Sequence, residues 1–406
     1  MYRVSPFVRL YAFALLGGAA MATAWVNTDP ASYYDLVEFR LLDLPLPSWL
    51  APIPLSLTPH EVVSQGLMAV FMFFIGKELW EALILERGAL TGGSVAVPFG
   101  GVIGGMIGAV SVWVLCQWLF ETAIEARFGS GWPVPLASDV VLCYLVGRMV
   151  FGNGHAALHV LLLITIGADI LGLLLLGLAN PHGLLRLSWL LLPLMASLGA
   201  WYFYGRRPDL GATERRRRHG LALWPYILAG MLCFVGVAAA GLPPALGLLP
   251  IIPAIPHAER SFGVFAEAEE FLYDPLNRLA HFLARPLALV LLLFGFAKGG
   301  VDLAASGPTT AAVLAAFWVG KPVGIIAGMA GAAALTRKTL PPGVGLRDVI
   351  LIAIIAGIGF TVPILALDSA LPGGRMSEAA RLGLALSLLA APAVVLLARL
   401  LPPRSK

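Results

Sequence analysis

Two aspartates stand inside stretches of this chain that are otherwise strongly apolar. Asp169 lies within LHVLLLITIGADILGLLLLGL, and Asp139 follows two prolines in GWPVPLASDVVLCYLV. An ionisable side chain at the centre of a membrane helix costs roughly 2.5 to 3.5 kcal/mol on insertion scales, so it is a functional-site hypothesis by default. Desolvation favours the neutral, protonated form of a carboxyl group. The two residues therefore predict proton exchange inside an apolar environment.

Hard cations such as Na⁺ prefer oxygen ligands, which this chain offers beside both acids. Candidate ligands are Asp169, Asp139, Ser138, Thr165 and Thr361. A proton and a cation would compete for the same carboxylate, which is the simplest form of antiport. Two structural interpretations remain open: Asp139 caps the helix that starts at Val140, and Asp169 is satisfied by a neighbouring helix for assembly alone.

A third charge, Lys321, lies in the apolar segment AAFWVGKPVGIIAGM next to Pro322. A buried lysine requires a carboxylate partner or loss of its proton. Lys321 is expected to pair with Asp169 or Asp139 when the cation is absent. The alternative is that its long side chain reaches the membrane interface.

Two apolar segments contain helix-breaking residues, and such interruptions are the best sequence indication of a transporter binding site. One contains Pro135 just before Asp139, and the other is AGIGFTVPIL with Gly357, Gly359 and Thr361. Interrupted helices direct backbone carbonyls and helix ends at a bound ion. For the second segment, a simple packing kink is an equally good interpretation.

The composition predicts the type of structural element that positions these residues. The chain has 406 residues, of which 59% are hydrophobic and only 12% charged, whereas soluble domains have about 25% charged residues. A membrane helix needs roughly 20 apolar residues, so we predict an all-α polytopic membrane protein with about twelve transmembrane helices. Residues 1–406 are predicted to form a single transporter domain, without enzymatic activity or a cofactor.

The charges and cysteines add little further chemistry. The net charge of +4 comes from basic residues in short clusters between apolar runs, so nucleic acid is not an expected partner, whereas membrane lipid is. The three cysteines lie in apolar segments without metal-like spacing, and they predict neither a metal site nor redox chemistry.

Apolar windows give the candidate spans and their orientation. The spans are predicted near residues 10–27, 62–85, 94–119, 134–149, 156–178, 186–205, 222–240, 243–255, 277–304, 310–335, 347–368 and 378–402. If the N-terminus is cytoplasmic, 17 Lys and Arg residues of the connectors and termini lie inside and 5 outside. The positive-inside rule then predicts that both termini are cytoplasmic. Residues 94–178 and 310–402 each show a Gly-rich span, a broken span and a long span, which suggests inverted repeats.

Other charged residues lie near helix ends. Lys77 and Glu81 have the i,i+4 spacing of an ordinary helix pair, and Glu78 is interpreted as a surface charge at the inner mouth. Glu78 and His281 are candidates for a pH response, the latter because imidazole titrates in the physiological range. A solvated helix end is the competing interpretation for both.

At these residues the sequence resembles the NhaA family of bacterial Na⁺/H⁺ antiporters. The resemblance runs from Tyr34 to the last span and is carried by LMAVFMFFIGKEL, GWPVPLASD, the Asp169 span, FGFAKGGV, VGKPVGI and GIGFTVPIL. It implies a twelve-helix inverted-repeat fold in the bacterial inner membrane, with two crossing discontinuous helices and a possible homodimer. It also implies Na⁺ or Li⁺ and H⁺ as substrates, Asp169 as their carrier, Asp139 and Ser138 at the break, and Lys321 as the charged core partner.

Two departures from the family pattern leave the function open. The family usually has two adjacent acids in the fifth span, whereas Ala168 occupies the first of these positions here, and Lys298 replaces an asparagine. Exchange of one proton per ion, pairing of Lys321 with Asp139, or loss of sodium transport would each follow from one carboxylate fewer. The alternatives are therefore an NhaA-like membrane module without sodium transport, acting as a sensor or scaffold, or a transporter of another ion.

Overall fold

The computed structural model describes residues 7–43, 56–84, 95–120, 128–181, 184–206, 222–256, 274–371 and 373–400, which are mostly helical. The helices, numbered in chain order, are α1 Phe7–Thr28, α2 Pro30–Val37, α3 Pro59–Leu83, α4 Ala96–Phe120, α5 Val140–Phe151, α6 Ala156–Ala179, α7 Leu187–Gly205, α8 Trp224–Ala239, α9 Pro244–Ala254, α10 Pro275–Lys298, α11 Pro308–Thr336, α12 Leu346–Ile355, α13 Thr361–Ala370, α14 Arg375–Ser387 and α15 Ala390–Leu400. One short antiparallel pair of strands, Leu42–Asp43 (β1) with Ser56–Leu57 (β2), departs from this pattern.

The predicted all-helical membrane architecture is confirmed. Within the described residues, nine helical segments are long and apolar enough to cross a membrane, and shorter apolar helices occur at α8, α9 and α13. The exact number of crossings stays a prediction. The predicted span 277–304 is too long, because α10 ends at Lys298, where two glycines follow and weaken the helix.

The described helices fall into two compact units that are not contiguous in sequence. The first unit comprises Met1–Gly18, Asp29–Gly88 and Gly177–Lys298. The second comprises Ala19–Thr28, Ala89–Leu176 and Gly299–Lys406. In the first unit, α8 and α9 bury an apolar cluster that includes Tyr226, Cys233 and Ile251. Asp139, Asp169 and Lys321 all belong to the second unit.

Helices α4 and α11 of the second unit pack with their backbones in contact. Gly100, Gly104 and Gly108 of α4 face Gly328, Gly324 and Gly320 of α11, and a Cβ built on Gly324 would lie 2.2 Å from the Gly104 carbonyl oxygen. Only glycine permits this separation. Small residues at four-residue spacing allow such close approach of helices in membranes, where dispersion contacts replace the hydrophobic effect. The contact fixes α11, which carries Lys321, against α4.

Two helices of the same unit are interrupted, as the sequence predicts. A 3₁₀ turn at Val134–Leu136 with buried Pro135 is followed by extended residues up to Asp139, where α5 begins. Helix α12 ends at Ile355, and α13 starts at Thr361. The five residues between them, which include Gly357 and Gly359, are not helical in the regular sense, so their backbone groups need other partners.

Candidate ion-binding site

Asp169 lies in the middle of α6 and is completely buried. Its Oδ1 accepts a hydrogen bond from the backbone N–H of Ser138 at 2.7 Å. Its Oδ2 is buried and has no hydrogen-bond partner among the described residues. A buried polar atom without a partner is uncommon in native structures, so its presence here is a specific feature of the site. One oxygen of this carboxyl group is thus oriented by the chain, and the other is available.

Asp139 joins the two interrupted helices. It is the N-cap of α5, where Oδ1 accepts from the Leu142 N–H at 2.8 Å. Oδ2 accepts from the Thr361 N–H at the start of α13 at 3.1 Å. The Asp139 N–H donates to the Ile358 carbonyl at 2.9 Å. Oδ1 therefore caps α5, as one interpretation of the sequence predicted, whereas Oδ2 binds the start of α13 in the other interrupted helix.

Further contacts from the α5 side hold the break between α12 and α13. Ser138 Oγ donates to the Ala356 carbonyl at 2.9 Å, and the Cys143 thiol donates to the Ile355 carbonyl at 3.1 Å. The sequence did not indicate this contact of Cys143, since the cysteines predicted neither a metal site nor redox chemistry. The carbonyls expected to point at an ion are thus engaged by the opposite break, so each interruption satisfies the backbone groups of the other.

Lys321 begins the last segment of α11, directly after a π-helical stretch at Ala316–Gly320, and is 1% exposed. Its ammonium donates to the Ala137 carbonyl and lies 5.0 Å from the ring centre of Phe317. Among the described residues it therefore contacts the backbone next to Ser138 and forms no ion pair with Asp139 or Asp169. A π-helical bulge frequently marks a functional position in a helix.

The remaining oxygen ligands predicted from sequence differ in availability. Thr165 Oγ donates to the carbonyl of Leu161 in its own helix at 3.0 Å. Thr361 Oγ is buried and lies beside the carboxyl group of Asp139. Two buried acids and one ammonium leave a formal charge of minus one when both acids are ionised. A monovalent cation or a proton would neutralise this charge, and an anion would not.

The charged residues of the first unit do not lie where the sequence suggested. Lys77 and Glu81 form the predicted i,i+4 ion pair at 2.9 Å, but both side chains are buried. Glu78 is only 4% exposed and pairs with Lys77 at 3.3 Å, so its interpretation as a surface charge is wrong. One buried ammonium is therefore shared by two buried carboxylates of the same helix. His281 is exposed on α10.

Lys298, at the end of α10, is also buried. Its ammonium contacts Nε2 of His60, which belongs to α3 in the same unit. This additional cation thus lies beside a histidine of its own unit.

The helical architecture, with two interrupted helices that contact each other beside a buried acid, defines a secondary-transporter type of membrane protein. The chain belongs to the Na⁺/H⁺ antiporter 1 family, whose model matches residues 8–398. The resemblance to NhaA stated above is thereby confirmed.

Curated relatives cover the chain almost completely. An Na⁺/H⁺ antiporter NhaA from Jannaschia is 40% identical, over 98% of this chain and 98% of the relative. NhaA 2 from Pelobacter propionicus is 34% identical, over 97% of both chains. A solved structure of the sodium proton antiporter MjNhaP1 from Methanocaldococcus jannaschii matches with 15% identity and a TM-score of 0.41, over 97% of this chain and 95% of the other. The family assignment rests on the sequence relatives.

Proposed function

We propose that this chain exchanges Na⁺ or Li⁺ for protons by alternating access, with the proton and the cation competing for Asp169. The main support is the environment of that carboxyl group. Oδ1 accepts a hydrogen bond from the Ser138 N–H, and Oδ2 is buried without a partner among the described residues. A carboxylate at such a place is costly unless a proton or a cation neutralises it. One bound species therefore excludes the other.

In this proposal the residues around Asp169 complete and position the site. Ser138 and Asp139 supply oxygens at the first break, and Thr361 supplies the buried Oγ at the second. Lys321 holds the Ala137 carbonyl next to them and limits the net negative charge. Pro135, together with Gly357 and Gly359, forms the interruptions that bring these groups together.

Ala168 sets the proposed stoichiometry. It is buried directly before Asp169, where a second acid would give the site another proton carrier. With a single carrier, one proton leaves for each monovalent cation that binds. Exchange would then be electroneutral. Family membership disfavours the alternative of a sensor or scaffold without transport.

The proposed setting is the bacterial inner membrane with both termini in the cytoplasm. The distribution of 17 basic connector and terminal residues against 5 supports this orientation, although many of them lie outside the described residues. Glu78 and His281 are the proposed contributors to a pH response.

We also propose that residues 94–178 and 310–402 are inverted repeats. Each contains a long glycine-rich helix, then an interrupted helix, then further apolar helix: α4, α5 and α6 in one, and α11, α12–α13 and α14–α15 in the other. The two glycine-rich helices pack against each other. Paired elements of this kind are typical of transporters built from inverted repeats.

The decisive variant is Asp169→Asn, which keeps the shape of the side chain and removes its exchangeable proton. In everted vesicles with an imposed pH gradient, addition of Na⁺ or Li⁺ should dissipate the gradient for the unmodified protein and not for the variant. Asp348→Asn is the matched control, because Asp348 is also buried but caps α12 by accepting from the Gly345 N–H. Full sodium-dependent exchange by Asp169→Asn would refute the proposal. It would also be refuted if the unmodified protein dissipated the gradient with neither Na⁺ nor Li⁺.

A further inference from the structure

The break between α12 and α13 is held from two sides. On the α5 side, Ser138, Asp139 and Cys143 bind backbone groups of residues 355–361. These contacts leave the N–H and the carbonyl of Gly359 without a partner from α5. Because hydrocarbon supplies no hydrogen bonds, backbone groups in such an interruption must be satisfied by the protein.

Ser387, at the end of α14, supplies the contact for Gly359. Its side chain is completely buried, and its Oγ accepts from the Gly359 N–H at 3.1 Å. The single hydroxyl proton is directed at two carbonyls, that of Leu384 at 2.7 Å and that of Gly359 at 3.0 Å. A serine hydroxyl has one donor and two acceptor positions, so Ser387 accepts from the Gly359 N–H while its single proton is shared between the Leu384 and Gly359 carbonyls.

Contacts continue from Gly359 to Lys321. A Cβ on Gly359 would lie 2.3 Å from ring atoms of Phe317, so the backbone of the break rests directly on that ring. The ammonium of Lys321 also lies near this ring, 5.0 Å from its centre. The Trp318 indole N–H also donates to the Ser387 carbonyl at 3.4 Å. Ser387 thus contacts both the break and the π-helical stretch that precedes Lys321.

We propose that Ser387 is a positioning residue for cation exchange, and this inference rests on the proposed function. Its hydroxyl fixes Gly359, two residues before Thr361, whose N–H binds Asp139 and whose Oγ is a candidate ligand. Through Gly359 it also fixes the ring beside Lys321. Without the hydroxyl, the Gly359 N–H loses its partner, and the break adopts a wider set of positions.

The test compares Ser387→Ala with Ser387→Thr, which keeps a hydroxyl, and with Ser377→Ala, which removes the other buried serine of α14. Sodium-dependent dissipation of a pH gradient is measured over a range of Na⁺ concentrations and pH values, beside the thermal stability of the purified proteins. Ser387→Ala should raise the half-saturating Na⁺ concentration about tenfold, as expected for an unsatisfied buried donor. Ser387→Thr and Ser377→Ala should stay within about twofold of the unmodified protein, because neither loses the Gly359 contact.

An unchanged half-saturating Na⁺ concentration in Ser387→Ala would overturn the inference. If the melting temperature and the maximal rate fall while that concentration and the pH profile stay the same, the role of Ser387 is purely structural. If Ser387→Ala does not reach the membrane, Ser387→Cys, a weaker donor and acceptor, must show an intermediate shift; behaviour equal to Ser387→Thr would reject the idea. If the unmodified protein shows no sodium-dependent dissipation of the gradient, the proposed function itself is rejected.

Discussion

The contact between α4 and α11 gives a prediction whose size follows from the geometry. In Gly324→Ala, the new Cβ would lie 2.2 Å from the Gly104 carbonyl oxygen and 2.9 Å from Cα of Gly108. Ordinary contacts of this kind are about 3.3 Å, so the helices must separate locally by about 1 Å. Both obstacles are backbone atoms, which cannot rotate away. We expect a loss of stability of about 1 to 3 kcal/mol, as for other overpacked sites.

The same displacement reaches the candidate site, because Lys321 lies three residues before Gly324 on the same helix. A misplacement of 1 Å costs on the order of 10²-fold in rate for positioned groups in enzymes. We therefore expect the maximal sodium-dependent exchange rate of Gly324→Ala to fall by at least about tenfold. The assay is gradient dissipation in everted vesicles, with protein amounts matched and melting temperatures measured in detergent.

Gly331→Ala is the matched control on the same helix. No atom lies within 4 Å of a Cβ built there, and alanine is favoured over glycine in a helix interior by about 1 kcal/mol. This variant should be as stable as the unmodified protein or more so, with unchanged exchange. If Gly324→Ala behaves like Gly331→Ala in both assays, the argument that glycine contact positions Lys321 is wrong.

Three further predictions concern the charges of the site. Asp139→Asn keeps the cap on Leu142 but places an amide donor, or a weaker acceptor, against the Thr361 N–H. The affinity for Na⁺, measured from the concentration dependence of exchange, should therefore fall about tenfold. Unchanged affinity would contradict a role of Asp139 at both breaks. Because proton and cation compete for Asp169, the half-saturating Na⁺ concentration should fall as pH rises, by about tenfold per unit while the carboxyl is mostly protonated; a flat profile from pH 6 to 9 would exclude competition. A single carrier acid predicts exchange that is insensitive to a K⁺-valinomycin membrane potential, whereas Ala168→Asp should make it sensitive; potential-dependent exchange by the unmodified protein would indicate a second proton carrier.

Residues whose type is unusual for an apolar helix could be predicted from the sequence. Asp169 and Lys321 stand out because a charge in an apolar run is costly, and Pro135 and Gly357 mark the interruptions because they weaken helices. These features give the architecture and name the central residues. They do not give partners, which depend on how distant segments meet.

Residues of ordinary appearance were not predictable. Ser387 and Cys143 are unremarkable in an apolar helix, and only the tertiary fold brings them to the carbonyls and N–H groups of residues 355–359. The burial of Glu78 was missed for a related reason: an acid near a helix end usually reaches solvent, but here Lys77 compensates it inside the first unit.

The most direct measurement is the number of protons released when Na⁺ binds to the purified protein, obtained by calorimetry in buffers of different ionisation enthalpy at a pH where the site is protonated. We expect release of about one proton per bound Na⁺ for the unmodified protein, and neither binding nor release for Asp169→Asn. Sodium binding by that variant with the same proton release would contradict the central role of Asp169.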